Sequence, residues 1–576
     1  MASGNGNSVF TREVIKHALT AIGEEMFVAM QRSSMSPIIY ETLDYATGIV
    51  DARARLIAQG CGIPGFIGTL DGAVADIIEK FTADKIQPGD IFITNDPYGG
   101  GGTHLSDVAL VMPLFYQGEL VAWAANKAHW TEIGGMDPGS FSVNASEIYQ
   151  EGLLFPGLKL FERAKINEAL VELLRANVRL PDMTLGDLWS GVAALRVGER
   201  RFLAVMEKYG MAQTLDAIEN LMDQGAAIVT EKFKGLPKGV FTAADVIDDD
   251  GFGNGPFCIS VSISITDTLF HADFTDTSAQ APGSINCTRA ALLAAAREVF
   301  MGIVDPDAPA TEGCFRRLQV TCPDGTLLTA RHPAPTSSYF EAMVAAADVM
   351  RKALAPALPG RLTAGQFGSV CSIVLSGSRP DDNRPFILVQ PLAGGWGAGA
   401  DKDGEPAQFC VGNGETCNIP VEVQEARYGV HVNRYALHNN GGGAGRQRGG
   451  PGVVLEYRIN ADGMELSTFF GRGKTPPAGI AGGRDGSCNY AVVVSGNRTS
   501  APVSMASRVP LQKGDLVRIH TGAGGGWGDP GERAPESLAL DLRDGYITIE
   551  QAEQEYGYAQ TPQQQSLTTQ LQEDTT

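Results

Sequence analysis

The chain has 576 residues, several times a usual single domain of roughly 100–200 residues, so it can bury a large core and is expected to divide into subdomains. It is 43% hydrophobic and 19% charged, which excludes a mostly disordered chain. Its formal net charge of −21 argues against binding to a nucleic-acid backbone or an anionic membrane surface, and it suits a metal cation or a neutral substrate.

Neither an export signal nor a membrane-length apolar run is visible. The N-terminus lacks a long apolar stretch behind a basic start, and the longest apolar stretches, such as 108–116, have the length of a strand. The cysteines are scattered without a CxxC pair, which indicates reduced thiols rather than a structural zinc site. We therefore expect a cytoplasmic protein.

Helical and strand patterns alternate in the first part of the chain. Apolar residues recur every four positions over 10–30, which predicts an amphipathic helix. Short apolar runs at 89–96 and on both sides of residues 117–118 predict strands, the last two joined as a hairpin. Helical periodicity returns over 168–209, where one proline interrupts it.

After about residue 235 the pattern becomes β-like. Alternation over 257–276 predicts a half-buried strand pair, and strong helix formers predict one helix over 288–304. Glycine then concentrates in PLAGGWGAGADKDG, HNNGGGAGRQRGGPG and TGAGGGWGDPGER, which predict turns and close backbone approaches.

These patterns predict a mixed α/β (α+β) chain with several subdomains. We expect an N-terminal α/β region with a metal site at 1–235 and a β-rich middle region with one helix at 236–390. A glycine-rich, β-containing region is expected at 391–558. The tail from 559 to 576 lacks apolar periodicity and is expected to be mobile.

The segment TNDPYGGGGTHLSDVALVMPLF is the most informative in chemical terms, because His104 and Asp107 follow a glycine run where a loop enters a strand. The predicted hairpin returns His129 to the same end. A plain two-residue turn pairs Asp107 with Ala128 and points His129 to the opposite face. A three-residue turn or one bulge pairs Asp107 with His129 directly. Metal binding therefore predicts a bulge or a longer turn.

Three carboxylates elsewhere are candidates for the same site. Asp44, in SPIIYETLDYATGIV, can complete a set of two imidazoles and two carboxylates, which suits Mn, Fe or Zn and leaves positions for water or substrate. Glu41 or Asp96 can then act as a catalytic proton shuttle. The simpler interpretations are a surface hydrogen-bonding pair for the HxxD spacing and an Asx-type turn for Asp96.

Nucleotide-binding motifs fail in this sequence. GRGKT at 471–475 contains GKT, but a phosphate loop needs glycine at position 468, where the chain has Thr468. GWGAGA at 395–400 is followed by DKDGE, where a dinucleotide fold needs an apolar helix. No GxSxG elbow supports a serine hydrolase. We expect no ATP site of its own in this chain.

Long motifs along nearly the whole chain make the sequence resemble the hydantoinase B family. They are SPIIYETLDYATGIVDARARLIAQ, TNDPYGGGGTHLSDVALVMPLF, ANKAHWTEIGGMDPGS, GSINCTRAALLAAAREVF, GGWGAGADKDG, GNGETCNIPVEV, NNGGGAGRQRGGPG and GAGGGWGDPGERAPESLALDLRDG. The family includes the B subunits of N-methylhydantoinase and caprolactamase, the C-terminal half of oxoprolinase and the α subunit of acetone carboxylase.

The resemblance implies a metal site, because that of the related carboxylase subunits carries over onto Asp44, His104, Asp107 and His129. Some positions depart from the family pattern and leave the substrate preference open. At these positions the family has, in this order, a basic residue, a proline, a histidine and an aspartate, whereas this chain has Thr42, Ser106, Trp130 and Glu132.

The resemblance also implies a partner. ATP and Mg²⁺ would bind to a hydantoinase A type subunit with an actin-like nucleotide fold, which agrees with the missing phosphate loop here. We expect a heterotetramer with two copies of each subunit and one divalent ion, Zn, Mn or Fe, in this chain. Neither nucleic acid nor a membrane is expected as a partner, and a requirement for bicarbonate stays open.

Three functions compete at this point. The first is ATP-dependent opening of a small cyclic amide of the lactam, hydantoin or oxoproline type, with the ring held against the metal. The second is an ATP-dependent ketone carboxylase in which the metal stabilises an enolate, and the third is a scaffold without an ion. Length favours the first, because acetone carboxylase α subunits look longer than this chain. Candidates for an apolar substrate pocket, or else core residues, are Phe66, Trp123, Trp130 and Trp396.

Overall fold

The computed structural model of the chain describes residues 9–308, 310–414, 416–438 and 441–558. These residues form a mixed α/β fold, as the sequence predicts, and contain four sheets. None of the helices in these ranges combines the length and the hydropathy that a membrane crossing requires. The predicted mobile tail, 559–576, lies outside the described residues.

The helices of the described residues are, in chain order, α1 Val9–Ser33, α2 Pro37–Tyr40, α3 Pro64–Ile67, α4 Leu70–Lys80, α5 Glu168–Asn177, α6 Pro181–Tyr209, α7 Met211–Phe233, α8 Arg289–Val304, α9 Tyr339–Leu354, α10 Val421–Arg427, α11 Pro535–Arg543 and α12 Ile549–Tyr556. Helix α1 confirms the amphipathic helix predicted over 10–30, because one apolar side of it is buried from Ile15 to Met30. Helices α5 and α6 confirm the interrupted periodicity, since Pro181 begins α6. Helix α8 confirms the helix predicted after residue 288, where the Thr288 hydroxyl caps it.

The first sheet positions the candidate site. Its strands are β1 Tyr45–Asp51, β2 Leu56–Gln59, β3 Ile91–Thr94, β4 Asp107–Tyr116, β5 Glu119–His129, β6 Leu158–Glu162 and β7 Lys165–Ile166. They are antiparallel in the order β2-β1-β5-β4-β3-β6-β7. Helices α1 and α6 pack on one face and α4 packs on the other, so both faces are buried and β4 and β5 are apolar runs.

The second sheet contains β8 Gly239–Ile247, β9 Phe257–Ile265, β10 Phe270–Asp273 and β11 Leu318–Thr321. Its order is β11-β10-β9-β8, and only the β10–β11 pair is parallel. The antiparallel β9–β10 pair confirms the strand pair predicted over 257–276. Helix α9 packs against β8 and β9 of this sheet. The second sheet therefore supports α9, which lies across the candidate site from the first sheet.

The remaining strands form two antiparallel sheets. The third sheet has the order β13-β12-β16-β19 and the fourth has the order β14-β15-β20-β17-β18. These strands are β12 Ser372–Ser378, β13 Pro385–Gln390, β14 Val430–Leu437, β15 Val453–Ile459, β16 Met464–Phe469, β17 Tyr490–Ser495, β18 Arg498–Thr499, β19 Met505–Leu511 and β20 Leu516–His520. The third sheet takes strands from both sides of residue 390, and the division into regions 1–235, 236–390 and 391–558 stays a prediction.

The glycine-rich segments pack against one another, backbone to backbone. The Gly450 amide donates to the Trp396 carbonyl at 2.8 Å, and the Gly524 amide donates to the Gly450 carbonyl at 2.9 Å. A β-carbon on Gly524 would lie 2.1 Å from the Trp396 carbonyl oxygen. These contacts confirm the close backbone approaches that the glycine clusters predict, because only glycine leaves room for them.

We predict that Gly524→Ala destabilises the fold by about 1–3 kcal/mol, because the added methyl group meets a carbonyl that is itself held by a hydrogen bond. Urea unfolding followed by circular dichroism measures the change. The control is Gly302→Ala in α8, where nothing lies within 4 Å of the added carbon and the change should be neutral or stabilising. Equal midpoints for the two variants would contradict the packing described here.

Candidate metal centre

The β4–β5 hairpin contains the bulge that metal binding predicts. Its loop has two residues, Gln117 and Gly118, with φ angles of 53° and 86°. The register then shifts after Leu114 and inserts one extra residue into β5. Asp107 therefore lies directly opposite His129, and the side chains of both residues point to the same face of the sheet.

Three ligand atoms converge at this end of the hairpin. The His104 Nε2 atom is 2.8 Å from the Asp107 Oδ1 atom and 3.2 Å from the His129 Nδ1 atom. The His129 Nδ1 atom is 3.1 Å from the same Asp107 oxygen. All three side chains are buried, and their ligand atoms lie within 4.8 Å of one another. Two nitrogens and one carboxylate oxygen in a buried cluster suit a divalent transition metal.

The backbone fixes which nitrogen of His104 faces the cluster. The His104 Nδ1 atom is 2.9 Å from the carbonyl oxygen of Ser337. A carbonyl oxygen can only accept, so Nδ1 donates its proton, and in the neutral imidazole Nε2 keeps the lone pair that a metal ion needs. An imidazole held in this way by a carbonyl is the usual arrangement of a metal-binding histidine.

The second oxygen of Asp107 is occupied by two hydroxyl donors. Thr103 Oγ1 donates to Oδ2 at 2.7 Å and Tyr339 Oη donates to it at 2.9 Å. Burial alone would raise the pKa of Asp107, but the positive charge and the hydrogen bonds that the His104 and His129 imidazoles supply when they carry a proton outweigh burial and hold that pKa below its usual range. Asp107 is therefore an anion with one oxygen directed at the cluster.

Asp44 lies beside the cluster without belonging to it. It is half-buried between α2 and β1 and lines the same cavity. Its carbonyl accepts the His129 amide at 3.0 Å, which ties the two segments together. Burial raises the pKa of Asp44 to about 7, and the nearby Asp107 carboxylate adds to this against the opposing effect of His129. The assignment of Asp44 as a fourth ligand stays a prediction.

The two predicted proton shuttles lie away from this cavity. Asp96 Oδ1 accepts the Tyr98 amide at 3.0 Å, which is the Asx-type turn of the simpler interpretation. Glu41 is the half-buried C-cap of α2. Neither Glu41 nor Asp96 is among the described residues that line the cavity. Their assignment as catalytic residues stays a prediction.

The glycine run before His104 packs tightly against α4. A β-carbon on Gly101 would lie 2.2 Å from the Ala73 amide nitrogen. The buried Lys127 ammonium, on the same face of β5 as His129, donates to the Gly101 carbonyl at 2.9 Å. Burial lowers the pKa of Lys127 to about 8. The loop that presents His104 is thus fixed from two sides.

The cavity at the cluster is small and mostly apolar, with about 40 Å³ of free space. Phe66 lines it, as the sequence suggests, whereas Trp123 and Trp130 are core residues and Trp396 also lies elsewhere. Its apolar walls include Ile38, Ile63, Phe66, Phe141, Phe340 and Met343. Such walls favour a small neutral ligand over a charged one.

Two of the groups that hold the cluster could not be found from sequence spacing. Ser337, which contacts His104, and Tyr339, which contacts Asp107, follow these residues by more than two hundred positions and reach the cluster only because α9 begins there. Thr103 had a local signal, since it directly precedes His104 at the end of the glycine run. A hydroxyl beside a ligand histidine is a common partner for a metal-binding carboxylate.

Comparison with known proteins gives consistent results. A family model described as Hydantoinase B/oxoprolinase matches residues 8–530. The chain is 31% identical to the B subunit of the putative D-/L-hydantoinase of Pseudomonas sp. (strain NS671), over 95% of this chain and 94% of that protein. It is also 31% identical to the beta subunit of the caprolactamase of Pseudomonas jessenii, over 95% of each.

Solved structures share the fold over nearly the whole chain. The crystal structure of the ATP-dependent caprolactamase from Pseudomonas jessenii has a TM-score of 0.88 at 29% identity, covering 96% of this chain and 97% of that one. The nucleotide-free structure of acetone carboxylase has a TM-score of 0.90 at 17% identity, covering 98% of this chain and 83% of that one. The second likeness shows a shared fold.

We predict that the purified chain retains about one divalent ion and that His129→Ala retains less than about a tenth of an ion, because the variant removes one of three convergent ligands. Elemental analysis after gel filtration measures the ratio. The matched control is His438→Ala, which removes another buried imidazole, one that bonds to the Thr521 carbonyl. Equal metal content in the two variants would contradict the site.

We predict that metal affinity falls with decreasing pH and that Asp44 contributes to the slope. Below its pKa of about 7 the Asp44 carboxyl holds a proton that a bound ion must displace. For each proton that metal binding releases, the metal affinity falls about tenfold for every unit by which the pH decreases. Chelator competition between about pH 5 and about pH 6, where Asp44 is mostly protonated, should give a slope that is shallower by about one proton in Asp44→Asn. An unchanged slope would show that Asp44 is not a ligand.

Proposed function

The chain belongs to the hydantoinase B/oxoprolinase family, and from this we propose that it is the metal-binding subunit of an ATP-dependent enzyme that opens a small cyclic amide. The observation that supports this most is the convergence of His104 Nε2, Asp107 Oδ1 and His129 Nδ1 at the wall of an apolar cavity. The caprolactamase and hydantoinase relatives point to the same substrate class.

We assign the metal to His104, Asp107 and His129, with Asp44 as the fourth ligand. The donor set fits Zn, Mn or Fe. A bound ion would supply Lewis acidity toward the substrate carbonyl oxygen. The proposal that Glu41 or Asp96 shuttles protons is supported by sequence position alone, because neither side chain lines the cavity.

The residues of this chain would hold and orient the ring. An amide resists hydrolysis because resonance stabilises it and nitrogen is a poor leaving group. The apolar walls around Phe66 and Phe141 would keep bulk water from the ring carbonyl group. Tyr339 keeps its proton, because burial raises the pKa of its hydroxyl well above 10, and it continues to orient Asp107.

We assign ATP to a separate protein of the hydantoinase A type. The support is twofold: the sequence has no phosphate loop, and the similar hydantoinase and caprolactamase chains are named as subunits. The partner would transfer the γ-phosphoryl group of ATP to the amide oxygen or to bicarbonate, with ADP as the leaving group, and the complex would contain two copies of each chain. In the cell we place this complex in the cytoplasm.

We predict that the complex of this chain with its ATP-binding partner opens a neutral lactam or hydantoin with ATP consumption, and that His129→Ala abolishes this while His438→Ala does not. The reason is that the ring carbonyl needs the cluster for polarisation. Chromatography of the amino acid product and of ADP, with and without bicarbonate, measures the reaction.

The same assay distinguishes the competing functions. Carboxylated product from a ketone and labelled bicarbonate, with no turnover of cyclic amides, would contradict the proposal in favour of a ketone carboxylase. A fully active complex whose chain holds less than about a tenth of an ion would contradict the metal role in favour of a scaffold.

A further inference from the structure

Glu151 has a buried carboxyl group that lies outside the cavity. This carboxyl group binds the turn at residues 336–337, which faces the metal centre. Its side chain is 1% exposed. The Oε1 atom accepts the backbone amides of Thr336 and Ser337, both at 2.8 Å. Two buried amides thus depend on one oxygen for their hydrogen bonds.

The turn that Glu151 holds reaches the cluster twice. The Ser337 carbonyl accepts the Nδ1 proton of His104 at 2.9 Å. The Thr336 carbonyl accepts the Tyr339 amide at 2.9 Å where α9 begins, and the Tyr339 hydroxyl donates to Asp107. A shift of this turn would therefore move the partners of two ligands together.

The backbone of Glu151 is itself fixed against the same segment. The Glu151 amide donates to the Ile148 carbonyl at 3.0 Å, and the Ile148 amide donates to the Pro333 carbonyl at 2.9 Å. A β-carbon on Gly135 would lie 2.6 Å from the Glu151 carbonyl carbon, so a neighbouring backbone closes off the other side. Glu151 is thus a rigid support rather than a mobile side chain.

We propose that Glu151 is a positioning residue that fixes the imidazole of His104 and the hydroxyl of Tyr339 by holding the 336–337 turn, and that it thereby sets the affinity of the site for its ion. This inference rests on the proposed function, since it requires that the cluster binds a metal. Glu151 does not touch the ligands, so its effect passes through Ser337 and Tyr339. Support of this kind from outside the ligand shell changes metal affinity severalfold or more.

The test compares Glu151→Ala and Glu151→Gln with a matched control in the full chain. Asp90→Ala is the control, because Asp90 is equally buried and accepts the Gln87 and Arg163 amides at 2.9 and 2.8 Å. Co²⁺ is the probe, and chelator competition gives its Kd while visible absorption reports its ligand geometry.

We expect Glu151→Ala to raise the Kd for Co²⁺ about tenfold and to change the absorption bands. Glu151→Gln keeps an acceptor oxygen at the same position and should restore both the Kd and the spectrum. Asp90→Ala should lower thermal stability while its Kd and spectrum stay those of the wild type.

Other outcomes would overturn the inference. Wild-type Co²⁺ affinity and spectrum in Glu151→Ala would show that Glu151 has no positioning role, while the metal site itself would stand. A loss of Co²⁺ affinity in Asp90→Ala equal to that in Glu151→Ala would also contradict the positioning role, because it would show a general effect of removing a buried carboxylate. If Glu151→Ala does not fold, Glu151→Asp, which is one methylene shorter, replaces it with the same criteria. A wild-type chain that binds no Co²⁺ would instead overturn the proposed function.

Discussion

The candidate site depends on one feature of backbone pairing, the extra residue in β5. With a two-residue loop at Gln117 and Gly118, an unbulged hairpin would pair Asp107 with Ala128. Because side chains alternate along a strand, His129 would then point to the α1 and α6 face of the sheet. The register shift after Leu114 moves it to the face of Asp107. A feature far along the hairpin thus decides whether the ligands meet.

Around this pairing, the rest of the fold supplies partners that leave the ligands few other positions. Tyr339 and Ser337 come from the start of α9, and the glycine run that presents His104 packs on α4. In the neutral tautomer of His104 that the Ser337 carbonyl favours, Nε2 and the Asp107 Oδ1 atom face each other as two acceptors. Burial makes such a cluster unfavourable unless a positive charge lies within it.

Much of this could be predicted from the sequence, because local patterns determined it. The helix at 10–30, the hairpin and the need for a bulge follow from periodicity and strand alternation, and the structure has all three. Helix α9 was not predicted, although Glu341, Asp348 and Lys352 recur at helical spacing in its sequence. The contacts of Ser337 and Tyr339 could not be predicted, because more than two hundred residues separate them from His104 and Asp107.

The most direct test of the central claim is a crystal structure of the chain prepared with its ion, with diffraction data collected at the absorption edge of that metal. The account predicts a single anomalous peak within bonding distance of His104 Nε2, Asp107 Oδ1 and His129 Nδ1, in a hairpin with the register described here. Density that places His129 on the opposite face of the sheet, or an ion bound elsewhere with the cluster empty, would contradict it.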